Sequence, residues 1–319
     1  MRAALLFLGL CVAFAAAQPP AKPNLDGEAA QLRALVARTP RLPLTKTVLK
    51  IQPPGPGWEM GFPSAVASDA SGVIYILQRG EKADPVLAVD RTGRILRSWG
   101  KGMFTIPHSI RVAPDGNVWT VDAASSRVLK FSPLGKLLLE IIVGGQPAAK
   151  SGFNSTTDIA FGPSGRLFIS DGYGNARVLE YTAKGERVRE WGKAGNGPGE
   201  LNLPHGIAID SRGIIHVADR ENGRVQRFSL DGRFLGSWDF HGKVFSIAAD
   251  RGSIWIGTQH FNEPNGAPGW FFQLDRDTGK PVGYAETHQG QHVLNLTADG
   301  ELLAGARPDT VLWFRKPAH

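Results

Sequence analysis

The sequence predicts an all-β fold, a six-bladed β-propeller closed by an N-terminal strand, and three observations carry that prediction. Of 319 residues, 39 are glycine and 22 proline, spread along the chain and not gathered into one tract, so tight turns are frequent. Between the turns, apolar residues alternate with period two, and β-branched and aromatic types dominate. A unit of about 35 to 50 residues recurs six times, and the period-two alternation with frequent Gly and Pro excludes the helical solenoids of similar period.

Taken in order, residues 1–17 read as a secretory signal. Arg2 gives the charged start, Ala3 to Phe14 the apolar stretch, and Ala15-Ala16-Ala17 a cleavage-like site before Gln18. The expected localisation is secreted or periplasmic after cleavage near Ala17. That stretch is too short to span a bilayer, and no later segment reaches about 18 apolar residues, so no transmembrane segment is expected. Residues 18–45 are rich in Pro and Ala and read as a loosely packed linker, with Glu28–Arg38 spaced as a short amphipathic helix. The propeller is expected over 46–319.

Six copies of a first strand and turn can be aligned: PSAVASDASG from Pro63, PHSIRVAPDG from Pro107, TTDIAFGPSG from Thr156, PHGIAIDSRG from Pro204, VFSIAADRG from Val244 and QHVLNLTADG from Gln291. Each is followed by a second strand ending in Asp or a substitute, and most by a third and fourth, which is the four-stranded blade of a propeller. The last copy has only three strands, so Thr47–Ile51 is expected to supply the fourth and close the ring.

Composition narrows the chemistry. Cys11 is the single cysteine, so neither an intrachain disulfide nor a Cys-rich zinc site is available, and metal chemistry must rest on the 8 histidines and the carboxylates. The net charge of +7 comes from basic residues interspersed with acids, which gives no nucleic-acid footprint. No GxSxG elbow, P-loop or dinucleotide fingerprint stands between a strand and a helix; Gly195–Gly199 is a turn between blades.

In a propeller the first strand of each blade lines the central channel, and its start lies at the same face as the end of the second strand. The position eight before the turn glycine holds Ser64, His108, Thr157, His205 and His292, with Phe245 its equivalent in the shortened fifth copy. Histidines in blades two, four and six are related by about 120° and form a facial three-nitrogen set with an open position, which matches a catalytic zinc site. The alternative is a habit of the repeat, in which each ring packs on a neighbouring blade and bonds to backbone. The i,i+4 pair His288 and His292 carries no weight without a helix; His216 reads as structural, and His241, His260 and His319 have no informative context.

Seven positions after the turn glycine stand Arg79, Ala123, Gly172, Arg220, Gln259 and Arg307, with Tyr173 one step later in blade three. Arginines ringing the histidine mouth suit a carboxylate, with Arg79, Arg220 and Arg307 as the binding set. A tyrosine beside a metal and guanidiniums is expected to have its pKa lowered toward use as a base. The alternative for the arginines is ion pairing with neighbours such as Glu221 and Glu81.

The strings LPHGIAID and VADRENGRVQRF, SDGYGNARV and IPHSIRVAPDGNVWTVD resemble the NHL-repeat propeller of the peptidyl-α-hydroxyglycine α-amidating lyases, over about residues 57–316. The resemblance implies zinc on His108, His205 and His292, Tyr173 as base, and Arg79 and Arg220 in the active centre. It implies a carbon–nitrogen lyase that cleaves a peptidyl- or acyl-α-hydroxyglycine to an amide and glyoxylate. Two departures stand out. Val293 occupies the place of an acidic residue that the family puts directly after its third histidine, at a structural calcium site and the active centre, and Gly174 replaces a family cysteine. Calcium is therefore not expected here. The expected partner is a small carboxylate-bearing or peptide substrate, bound by a monomer. A non-catalytic NHL propeller binding a peptide, glycan or protein is the competing reading, favoured by Val293. A lactonase-type propeller is disfavoured, because its oxygen-rich calcium ligands have no counterpart among the channel positions.

Overall fold

The repeats fold as their alternation requires. In the computed structural model the described residues are 25–144, 156–250, 252–262, 269–287 and 292–317, and they contain six four-stranded antiparallel sheets. The expected signal segment 1–17 with Cys11, His288 and His319 lie outside the described residues. The innermost strands are Pro63–Ser68, Pro107–Val112, Asp158–Phe161, Pro204–Ile209, Lys243–Ala249 and Leu294–Leu296. Each pairs with the strand that follows it, and in the first five blades the order within the blade follows the chain. Apolar side chains between adjacent blades form the core, such as Val66, Ile76 and Leu87 against Leu303 and Trp313.

The ring closes through Thr45–Leu49, which pairs antiparallel with Thr310–Arg315, two residues ahead of the expected segment. Blade six is thereby built from both ends of the propeller, and the outer edge left by its third strand is covered. Before that strand, Leu25–Arg38 form a helix. It is docked where a loose linker was expected. Leu32 and Leu35 are buried against Phe240, Val244 and Phe272, because the i,i+3 spacing puts both on one face. His241 and Glu28 meet at 2.9 Å beside them. No helix among the described residues is long and apolar enough to cross a membrane.

Two local devices position the channel side chains. First, the residue ending the second strand clamps the segment that leads into the first. Asp122 accepts the backbone N–H of Thr105 at 2.6 Å and of Ile106 at 3.0 Å, Asp219 that of Asn202 at 2.6 Å, and Gln78 that of Gly61 at 2.8 Å. Second, the strand register shifts between Pro63 and Ala65, Pro107 and Ser109, Pro204 and Gly206, and Val244 and Ser246. The skipped residues are Ser64, His108, His205 and Phe245. A bulge leaves its extra residue out of the ladder and re-aims its side chain, so each of these is turned out of the blade's alternation.

Removing the Leu32 side chain leaves a cavity under the helix. Leu32→Ala is expected to cost about 2–4 kcal/mol, read by denaturant or thermal unfolding, whereas a segment lying loosely on the surface would leave stability unchanged.

Candidate metal centre

His108, His205 and His292 meet on the axis. One nitrogen from each lies within 4.8 Å of the other two, and among the described residues they form the one such group of metal-ligating side chains. The ring centroids are 4.3 to 5.0 Å apart and mutually edge-on. His108 and His205 are fully buried, and His292 is partly so.

The Nδ1 atoms explain the arrangement. His108 Nδ1 donates to the Thr157 carbonyl at 2.6 Å, His205 Nδ1 to the Phe245 carbonyl at 2.6 Å, and His292 Nδ1 to the Ser64 carbonyl at 3.0 Å. Each acceptor is the same repeat position in the next blade. Blades one, three and five thus supply the carbonyls that hold the rings of blades two, four and six. The two readings of the Pro-His repeat are both realised: every ring bonds to neighbouring backbone, and in doing so turns Nε2 toward the axis. A protonated Nδ1 leaves Nε2 as an acceptor in the neutral ring.

Three acceptor lone pairs therefore converge. The Tyr173 hydroxyl, with one proton to give, lies 3.2 Å from His108 Nε2 and 3.0 Å from His205 Nε2 and so serves only one of them at a time. Protonating the rings is opposed as well: burial first, then the guanidiniums and, for His108 and His205, the neighbouring histidines, hold all three well below the ordinary imidazole pKa. Neutral, converging imidazole acceptors fit a divalent cation of the zinc type. Tetrahedral zinc at about 2.0–2.1 Å needs ligand atoms about 3.3 Å apart.

The arginines of the second-strand ends gather around this point, as the repeat phase predicts. Arg220 Nε donates to Glu221 at 2.8 Å, so the expected ion pair exists, and its guanidinium also lies 5.2 Å from the Phe245 ring and 5.8 Å from the Tyr173 ring. Arg79 donates to the Pro107 carbonyl at 2.7 Å, and burial lowers its pKa to about 10. Arg307, exposed at the rim, lies 4.5 Å from the Phe62 ring, which Arg79 approaches at 5.4 Å. Phe62, whose ring is 6.2 Å from that of His292, was not singled out from sequence. Its signal was an aromatic two residues ahead of the channel position. At Gly172 a Cβ would stand 2.2 Å from the Pro204 carbonyl oxygen, so blade three cannot carry an arginine there and Tyr173 provides the polar group.

The lowered Tyr173 pKa was expected of a site that holds a metal. Burial pushes the Tyr173 phenol above its ordinary pKa in the metal-free chain, outweighing the pull of Arg220 and Arg79. Three other histidines stay off the axis: His216 is buried on Asp210 at 3.3 Å, His241 pairs with Glu28, and His260 stands edge-on to Trp270 at 5.2 Å. A recess of about 410 Å³ opens on the opposite face of the channel.

A family model described as a six-bladed beta-propeller matches residues 155–296. A Caenorhabditis elegans protein named "Probable peptidyl-alpha-hydroxyglycine alpha-amidating lyase" is 30% identical over 248 residues, covering 72% of this chain and 69% of the relative. The chain belongs to the peptidyl-α-hydroxyglycine α-amidating lyase family. Rattus norvegicus peptidylglycine alpha-amidating monooxygenase is 29% identical over 295 residues, and the match covers 79% of this chain but 30% of that longer protein. Virginiamycin B lyase of Staphylococcus aureus shares the fold, with a TM-score of 0.57 at 16% identity over 86% of this chain and 99% of that one.

Val293 stands where the resemblance implies an acidic residue after the third histidine. Val293 is buried among Ala65, Ile110 and Leu129, an apolar setting with no oxygen ligand to offer. The acid of the same ring of channel positions is Asp158, and it is already paired with Arg111 at 2.5 Å. These residues do not fit a structural calcium ion.

The buried neutral histidines give the metal-free protein a pH dependence. Unfolded histidine titrates near 6.5, so below that value the unfolded chain binds more protons than the folded one, and stability falls as pH falls. Metal-free protein should lose thermal stability from about pH 7 to pH 5, and His108→Gln should lose less over the same range. Equal slopes for the two proteins would contradict this.

Proposed function

We propose that the protein is a zinc-dependent carbon–nitrogen lyase that cleaves a peptidyl- or acyl-α-hydroxyglycine to an amide and glyoxylate. The observation that carries this reading is the convergence of three carbonyl-oriented imidazoles and the Tyr173 hydroxyl inside a ring of Arg79, Arg220 and Arg307. Zinc bound to His108, His205 and His292 would supply Lewis acidity toward a substrate oxygen at a three-nitrogen site with room for further ligands.

The chain's own groups account for the rest. A glycine carboxylate matches the guanidinium forks of Arg79 and Arg220, with Arg307 at the rim. Burial raises the Tyr173 pKa, and the charges of Arg220, Arg79 and a bound zinc ion would oppose that rise and favour its phenolate. As phenolate it takes the α-hydroxyl proton, the O–H electron pair forms the aldehyde carbonyl, and the C–N bond breaks. The amide nitrogen leaves with its electron pair and receives that proton. A half-buried site beside Phe62 and Phe245 keeps bulk water from competing for it. The proposal includes export after cleavage near Ala17 and action as a monomer.

Glyoxylate release from α-hydroxyhippurate by zinc-loaded protein tests the reading. Tyr173→Phe should lower kcat by about 10²–10⁴-fold, and Arg220→Lys should act mainly on KM, since a point charge replaces a fork. No glyoxylate, or release unaffected by His205→Ala, would refute it and leave a binding propeller as the better account.

A further inference from the structure

Three positions after the channel residue, the six innermost strands carry Ala67, Arg111, Ala160, Ala208, Ala248 and Asn295. All six line the recess on the face opposite the histidines. Four alanines in one layer clear space on the axis, and one long side chain fills it. Arg111 is 8% exposed, Asp158 1% and Asn295 9%.

All five guanidinium N–H groups of Arg111 are used. Nε donates to Asp158 Oδ1 at 3.0 Å and Nη2 to Asp158 Oδ2 at 2.5 Å, a two-pronged pair. Nη1 donates to Asn295 Oδ1 at 2.5 Å and to the Leu294 carbonyl at 3.0 Å, and Nη2 reaches the Ile247 carbonyl at 3.4 Å. The partners spread outward from there. Asn295 Nδ2 donates to the carbonyls of Val66 at 2.7 Å and Ile110 at 3.3 Å. Asp158 accepts Ser109 Oγ at 2.5 Å and the Ile207 N–H at 3.3 Å. One cation is thus bonded, directly or through one partner, to all six blades.

We infer that the Arg111 guanidinium is the resident cation of the channel, doing with five fixed donors what a bound divalent ion would do in the same cage of oxygens. The cage is a carboxylate, a side-chain amide oxygen and two backbone carbonyls, the ligand types that hard cations take. Its charge is matched by Asp158, and its planar fork makes the desolvated pairing bidentate. Arg111 shares a strand with His108; Asp158 adjoins Thr157, whose carbonyl orients that ring; Leu294 lies two residues from His292. The inference concerns the channel cage and does not depend on the proposed reaction.

The test is thermal stability of zinc-loaded protein with and without about 5 mM calcium chloride, or methylguanidinium at similar concentration, chosen for the weak affinity of a partial oxygen cage. Wild-type Tm should not move. Arg111→Ala, which leaves Asp158 buried and uncompensated, should lose about 5–15 °C. Calcium or methylguanidinium should return several degrees of that loss, because each refills the cage. Wild-type stabilisation by calcium, an Arg111→Ala Tm equal to wild type, or a loss that neither cation reverses would overturn the inference. If Arg111→Ala yields no soluble protein with either cation present, Arg111→Lys decides. An ammonium has three donors for five contacts, so its Tm must fall, and a wild-type value would overturn the inference.

Discussion

The site rests on one hydrogen bond made three times: an imidazole Nδ1–H given to the backbone carbonyl of the equivalent residue in the next blade. Each bond fixes a tautomer, a ring orientation and the spacing of two blades together. Histidine occupies alternate blades, and each intervening blade supplies the carbonyl that orients one ring. Ser64, Thr157 and Phe245 contribute backbone there, so their side chains are free to differ. The bulges at His108 and His205 serve the same end by lifting those residues out of the pairing ladder.

Below this layer the channel is held by charge. The ring of alanines, Arg111 and Asn295 joins the blades through a buried cation, and the ring above joins them through imidazoles that carry no charge. Burial, with the guanidiniums nearby, holds the imidazoles neutral. The two layers place an acceptor-only set of imidazoles at one mouth and a fully bonded guanidinium toward the other.

Much of the propeller and its mouth was legible in the sequence, because quasi-symmetry turns repeat phase into position. Counting from the turn glycine brought His108, His205, His292, Arg79, Arg220 and Arg307 to one end before any coordinates, and Tyr173 followed from its place beside Gly172. What stayed hidden had no repeat signature of its own. Arg111 and Asn295 share a position that is alanine in the other four blades, Asp158 stands where the others carry small or apolar residues, and their contacts cross the channel between strands far apart in the chain. The docking of Leu25–Arg38 was hidden for a similar reason, since Phe240 and Phe272 lie more than 200 residues away. The rise in the Tyr173 pKa was missed because charge was counted and burial was not. Val293 was legible as a departure, but its meaning came only with Arg111, which takes up the acid of that ring.

The central claim is that His108, His205 and His292 hold one zinc ion through Nε2 while their Nδ1 atoms stay bonded to the next blades. Zinc-edge X-ray absorption on stoichiometrically loaded protein tests it most directly. The account predicts one zinc per chain with three imidazole nitrogens at about 2.0–2.1 Å and at least one further light-atom ligand. A spectrum with fewer than three imidazoles, or a purified protein that takes up no zinc, would contradict it.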